Sequence, residues 1–142
     1  MNTYPLSFSF KGRLSGKARP RFLKGENKIY TQRKTQNQER MIQQYFIASF
    51  GKPLLVSPLS VKIELTLEPP KSWTKYKRSH ALNGKILPTI KPDLDNVAKL
   101  ILDALNGFAY QDDRQVTRLE INRSYGISDK VQVEISPIGG EV

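Results

Sequence analysis

The chain has 142 residues, a formal charge of +10 at pH 7, one histidine and no cysteine, and 38% of its residues are hydrophobic. That length suits one domain with its own core and is short for two. Lack of cysteine excludes disulfides, thiolate nucleophiles and cysteine-ligated zinc, and a single histidine excludes a metal site built on histidine pairs. No apolar run approaches the roughly 18 residues of a membrane-spanning helix. The N-terminus lacks the basic-then-apolar order of a secretory signal. A cytoplasmic protein without membrane attachment is expected.

Leu6, Phe8 and Phe10 alternate with serines, which predicts a first strand. Residues 11–30 are basic, contain glycine and lack periodicity, so they read as a long surface loop or loose hairpin. Thr35 and Gln38 have capping-box spacing. Ile42, Tyr45, Phe46 and Ser49 then recur at helical spacing until Gly51 and Pro53, which predicts a first helix over 36–49. Residues 59–68 alternate strictly and predict a half-buried strand with Leu59, Val61, Ile63, Leu65 and Leu67 facing in. Pro69-Pro70 ends it.

Residues 71–91 read as a second basic loop, carrying Trp73, Tyr76 and His80. Asp93 can cap a second helix over 94–106, whose apolar stripe is Leu94, Val97, Ala98, Ile101 and Leu105. Asn106-Gly107 is a normal helix exit. Strands over 115–124 and 130–136 follow, with Ser128-Asp129 in a hairpin turn between them. The order β-α-β-α-β-β reads as one α+β (mixed α/β) domain over 1–142, a small mixed sheet with two helices.

Charge is unevenly placed. Residues 11–40 carry ten Lys/Arg against Glu26 and Glu39, a net +8, and residues 71–91 carry +6. The remainder, to reach +10 overall, carries −4. Two basic segments attract a polyanion, with binding that weakens as salt rises. Candidate phosphate contacts are Lys17, Arg19, Arg21 and Arg33 in the first segment and Lys71, Lys75, Lys77 and Arg78 in the second. Arginine's planar fork suits phosphate at fixed geometry. Trp73 and Tyr76, set among these cations, can stack on exposed bases or pack their loop on the core.

The acids concentrate between the basic segments and the C-terminal strands. Asp93 and Asp95 straddle the predicted start of the second helix. Asp95, Lys99 and Asp103 are spaced i, i+4, i+8 and line a face distinct from the apolar stripe. Asp112 and Asp113 belong to the next connection, which can return past the start of that helix and bring three carboxylates together. Clustered carboxylates hold hard divalent cations, the requirement of metal-dependent phosphodiester hydrolysis. Each acid also has a plainer explanation. Asp near a helix start favours the macrodipole, Asp95–Lys99 is an ordinary i, i+4 pair, and Asp112-Asp113 suits a turn. Lys99 can neutralise Asp95, contact a scissile phosphate, or do both. Asp103, two turns along, reads as a surface pair, and His80 as a bystander.

These residues resemble the RusA family of Holliday junction resolvases. The similarity lies in Pro92-Asp-Leu-Asp-Asn96 with Lys99, in Asp103-Ala-Leu-Asn-Gly107 and in Asp112-Asp113-Arg-Gln-Val116. Gly16-Lys-Ala-Arg-Pro-Arg-Phe22 and Tyr30-Thr31 are similar to the prophage-type members. The resemblance implies catalytic, metal-holding acids at Asp93, Asp95 and Asp113, an essential lysine at Lys99 and a secondary acid at Asp112. It also implies Mg²⁺ or Mn²⁺ dependence, a homodimer, a branched-DNA substrate, and paired cuts in opposed strands of a four-way junction. A non-catalytic nucleic-acid-binding module and a metal nuclease acting mainly on forks and flaps are the alternatives. Acids that ionise together with a cation also imply activity rising from acid toward neutral pH.

Overall fold

A computed structural model describes residues 3–16 and 25–139. Lys17, Arg19 and Arg21 lie outside the described residues. The first strand, β1 (Leu6–Lys11), alternates buried and exposed residues along its whole length. Helix α1 (Glu26–Phe50) follows, then β2 (Leu59–Leu67), helices α2 (Lys75–Leu82) and α3 (Leu94–Leu105), a 3-10 turn (Asp113–Gln115), β3 (Val116–Tyr125) and β4 (Lys130–Pro137). The four strands form one mixed sheet in the order β1-β4-β2-β3. Strand β4 is antiparallel to both β1 and β2, and β3 lies parallel to β2 at the edge.

The core sits between one face of this sheet and helices α1 and α3. Leu59, Val61, Ile63, Leu65 and Leu67 of β2 are buried as their alternation predicts. All but Leu67 join Phe8 and Phe10 of β1, Val131, Val133 and Ile135 of β4, and Ile42 and Phe46 of α1, while Leu67 packs with Ala81 and Tyr125. Phe46 meets Phe8 edge-on, with ring centroids 5.5 Å apart. The opposite sheet face is polar. Lys62 there lies 3.7 Å from Glu64 and 3.5 Å from Glu120.

Three elements differ from the sequence expectation. Helix α1 begins at residue 26 rather than 36. Its first half is polar, so no apolar stripe announced it; Lys, Arg, Gln and Glu are good helix formers even on a solvated face. Gln38 closes no capping box, because its Oε1 accepts from the Ser15 backbone N–H (2.8 Å) and hydroxyl (3.2 Å). Within the second basic segment residues 75–82 are helical, making three helices among the described residues rather than two. Thr74 caps α2 by accepting from Lys77 N–H at 3.2 Å. Eight mostly charged residues with one buried alanine leave little amphipathic signal.

The third difference is topological. Strands β3 and β4 are not a hairpin, because β2 lies between them. The four-residue link 126–129 steps over the end of β2. Gly126 N–H donates to Leu67 O at 2.9 Å, and Asp129 accepts from Glu68 N–H at 2.8 Å and from Arg13 at 3.1 Å. A short polar link ordinarily signals a hairpin, and only the close approach at Gly126 tells otherwise. A Cβ there would lie 2.3 Å from the Thr66 γ-methyl. Gly126→Ala is expected to destabilise the fold by about 1–3 kcal/mol, the scale of overpacking. Adding Thr66→Ser, which removes that methyl, should recover most of the loss in urea unfolding.

Candidate active site

Helix α3 presents two unlike faces. Val97, Ala98, Leu100, Ile101, Ala104 and Leu105 are buried, while Asp93, Asp95 and Lys99 are exposed. Asp93 occupies the N-cap position with extended backbone, but its carboxylate makes no capping hydrogen bond. Among the described residues Lys99 forms no ion pair, so the i, i+4 pairing with Asp95 is not made. The turn ahead of α3 is held from the sheet. Arg123 of β3 donates to the Ile90 and Pro92 carbonyls at 2.7 and 2.6 Å. From the other side Gly16 lies against this turn; a Cβ on it would meet Asn96 Cβ at 3.1 Å and Pro92 Cβ at 3.5 Å. Gly16 also has φ +81°, in the left-handed region. The chain therefore enters its first basic run beside Asn96, next to Asp95.

The connection after α3 returns past the last turn of the helix rather than the first. Gly107 N–H donates to Tyr110 O, and the buried Tyr110 hydroxyl donates to Leu102 O at 2.5 Å. Leu55 N–H donates to Ala109 O at 2.9 Å. Gln115 Nε2 donates to the Leu55 and Ser57 carbonyls at 2.7 and 3.1 Å, while its Oε1 accepts from Asp112 N–H at 2.9 Å. These bonds fix where Asp112 and Asp113 emerge.

The two neighbouring acids have different surroundings. Asp112 caps the 3-10 turn, accepting from Arg114 N–H at 3.0 Å. That bond leads the influences holding its carboxyl below the usual value. Asp113 is half-buried beside Asp103 and Asp112. Burial first, then a hydrogen bond that its protonated form donates to Asp112 and the charge of Asp103, push its carboxyl above the usual value. Tyr110 lies beneath: burial, then the charges of Asp113, Asp103 and Asp112, drive its hydroxyl far above the ordinary tyrosine range.

Asp113 is thus brought beside Asp103, a residue the sequence reading left to surface pairing. The signal was present, since Asp103 continues the Asp95–Lys99 face by one more i+4 step. Asp95 and Asp103 remain eight residues, about 12 Å, apart along the axis. Among the described residues no three His, Cys, Asp or Glu side chains are grouped closely enough to hold one ion. Arg123, Gln115 and Tyr110 were also missed, and each acts through a backbone carbonyl that no residue pattern exposes.

The basic candidates divide as well. Arg33 is exposed on α1, and Lys71 and Lys75 are exposed at and before the start of α2. Arg78 is turned inward, donating to Pro70 O at 3.3 Å and lying 3.9 Å from Glu68. Lys77 covers the Trp73 ring at 4.0 Å, and Trp73 meets Tyr125 edge-on at 5.4 Å. Trp73 therefore packs α2 on the sheet, whereas Tyr76 is 75% exposed. His80 lies against Tyr76. No helix among the described residues is long and apolar enough to cross a membrane.

A raised carboxyl pKa has a definite stability sign. The folded chain binds a proton at Asp113 more readily than the unfolded chain does. That contribution is fully present below the ordinary value of 3.8 and is lost as pH rises through the folded value. Asp113→Asn should therefore raise the urea midpoint at pH 7, and the gain should close as pH falls below 3.8.

Comparison with known proteins places this geometry in context. Residues 11–136 match the family described as Endodeoxyribonuclease RusA. The chain is also 30% identical over 139 residues to the uncharacterized protein YqaN of Bacillus subtilis (strain 168), covering 94% of this chain and 96% of that one.

Proposed function

The chain belongs to the RusA endodeoxyribonuclease family, and from that premise we propose that it is a prophage-type resolvase of four-way (Holliday) junctions. In this reading it works as a homodimer, cutting opposed strands in pairs with Mg²⁺ or Mn²⁺. The observation that carries the proposal is the acidic face of α3, with Asp113 crowded against Asp103 and Asp112, in a chain of charge +10. Attraction of DNA explains the charge; the acids need a separate reason, because they repel the same polyanion.

By the family resemblance Asp93, Asp95 and Asp113 are the acids that would hold the ion, although this structure does not group them closely enough to share one. They offer hard carboxylate oxygens, the donors Mg²⁺ takes, and crowded like charges are relieved by a cation. When bound, such an ion supplies Lewis acidity toward the phosphodiester. Lys99, exposed on the same helix, contacts the phosphate and offsets the negative charge that develops as water attacks in line. Arg123 acts as a positioning residue, fixing the turn that delivers Asp93. The exposed cations Arg33, Lys71 and Lys75 contact the arms, and two-fold protein symmetry places two such sites on a nearly two-fold junction.

Asp95→Asn should bind a labelled four-way junction as the parent does. Its cutting rate in Mg²⁺ should fall by about 10²-fold or more, the scale of removing one charge-stabilising group. Asp113→Asn should lose cutting in the same way while being the more stable protein. A parent chain that binds junctions without cutting them across an Mg²⁺ and Mn²⁺ series would leave a binding module. Preferential cutting of forks or flaps would assign the substrate differently.

A further inference from the structure

An open hollow of about 850 Å³ lies where β1 ends and β4 begins. Its walls include Lys11, Lys130, Phe10, Tyr45, Thr66 and Ser128. Lys11 and Lys130 are direct cross-strand partners in the β1–β4 register. Like charges placed opposite each other destabilise a sheet. Among the described residues neither lysine forms an ion pair. The adjacent Asp129 is already engaged by Arg13 and by Glu68 N–H. Among the described residues the two ammonium groups therefore lack a counter-ion, and an anion seated between them would relieve their repulsion.

An aromatic shelf shares the hollow. Tyr45 stacks on the buried Phe10 ring at 5.1 Å with the planes 18° apart, and 45% of Tyr45 stays exposed. Phe10 covers one ring face, and Tyr45 lines the hollow. Gly126 also lines the hollow, and its close approach to Thr66 keeps a side chain out. Paired cations in one hollow with an exposed aromatic ring match a phosphate joined to a base.

We propose that this hollow seats an unpaired stretch of the DNA strand. A phosphate lies between Lys11 and Lys130, and a base stacks on Tyr45. The proposal deepens the nuclease reading and rests on it for the choice of DNA.

The test is fluorescence anisotropy in EDTA across a salt series, using a thymidine oligonucleotide of about 12 nucleotides, within the site sizes of strand-tracking folds, and a duplex of equal length. Lys11→Ala/Lys130→Ala should weaken oligonucleotide binding and reduce the logarithmic salt slope by about 1.4, two single-strand contacts' worth. Its urea midpoint should be unchanged or higher, because a like-charge pair is gone. Tyr45→Ala should weaken the oligonucleotide about 5-fold or more with the slope kept, and Tyr45→Phe should bind as the parent does. An unchanged salt slope in the lysine variant overturns the seat. So does parental affinity in Tyr45→Ala, or an equal loss on duplex. Junction cutting in Mg²⁺ is measured alongside. If the variants weaken the oligonucleotide but the parent cuts no junction, the seat stands and the nuclease reading falls. Cutting with no variant effect gives the reverse.

Discussion

Helix α3 is held to the sheet by burial of Val97, Leu100, Ile101 and Leu105, with Ala98 and Ala104 allowing close approach. Burying each of the larger side chains contributes about 1.5–3 kcal/mol. Repulsion between like charges one helical turn apart costs only about 0.2–0.5 kcal/mol. The apolar face therefore dominates the acidic one by an order of magnitude. Asp103 and Asp113 can be kept in a mutually unfavourable arrangement because the helix carrying Asp103 has no better place to go.

Position within that arrangement depends on bonds to backbone carbonyls. Arg123 reaches from the edge strand to the turn before α3, and Gln115 ties the segment after α3 to residues 55–57. Tyr110 closes the return by bonding Leu102 inside the helix it has just left. A neutral hydrogen bond of this kind contributes about 0.5–1.5 kcal/mol, and one from a charged donor such as Arg123 about 1.5–3. These are small beside the core. Their effect is to select one path for each loop, and the path decides which acids meet.

What was legible in the sequence follows the same division. Elements that bury an alternating or helical stripe announced themselves: β2, the apolar face of α3, and Val131, Val133 and Ile135 of β4 all lie as their periodicity indicates. Elements made without burial did not. The polar first half of α1 and the short α2 carry few apolar residues, so periodicity had nothing to report. Strand pairing failed for a related reason. Alternation tells which face of β3 and β4 turns inward but not which neighbour each pairs with, and the link 126–129 is as short as a hairpin. In the acidic region the residue types were legible and the meeting was not. Asp103 could be placed on the Asp95 face, but its encounter with Asp113 depends on where Tyr110 anchors the return.

That encounter separates the two adjacent aspartates more sharply than their sequence does. Asp112 has its carboxylate satisfied by the Arg114 backbone N–H while its own N–H donates to Gln115, so it holds the loop at little electrostatic cost. Asp113, one residue on, is left half-buried facing acids, with burial and Asp103 both opposing its charge. A carboxylate placed only for structure would be relieved by mutation to a neutral isostere, and nothing in the fold requires the charge at that position. Under the nuclease reading the charge is kept because a cation and a phosphodiester arrive together. In that reading a bound ion would offset the repulsion that the protein leaves uncompensated, and the surrounding lysines and arginines would deliver the phosphate to acids that alone would turn it away.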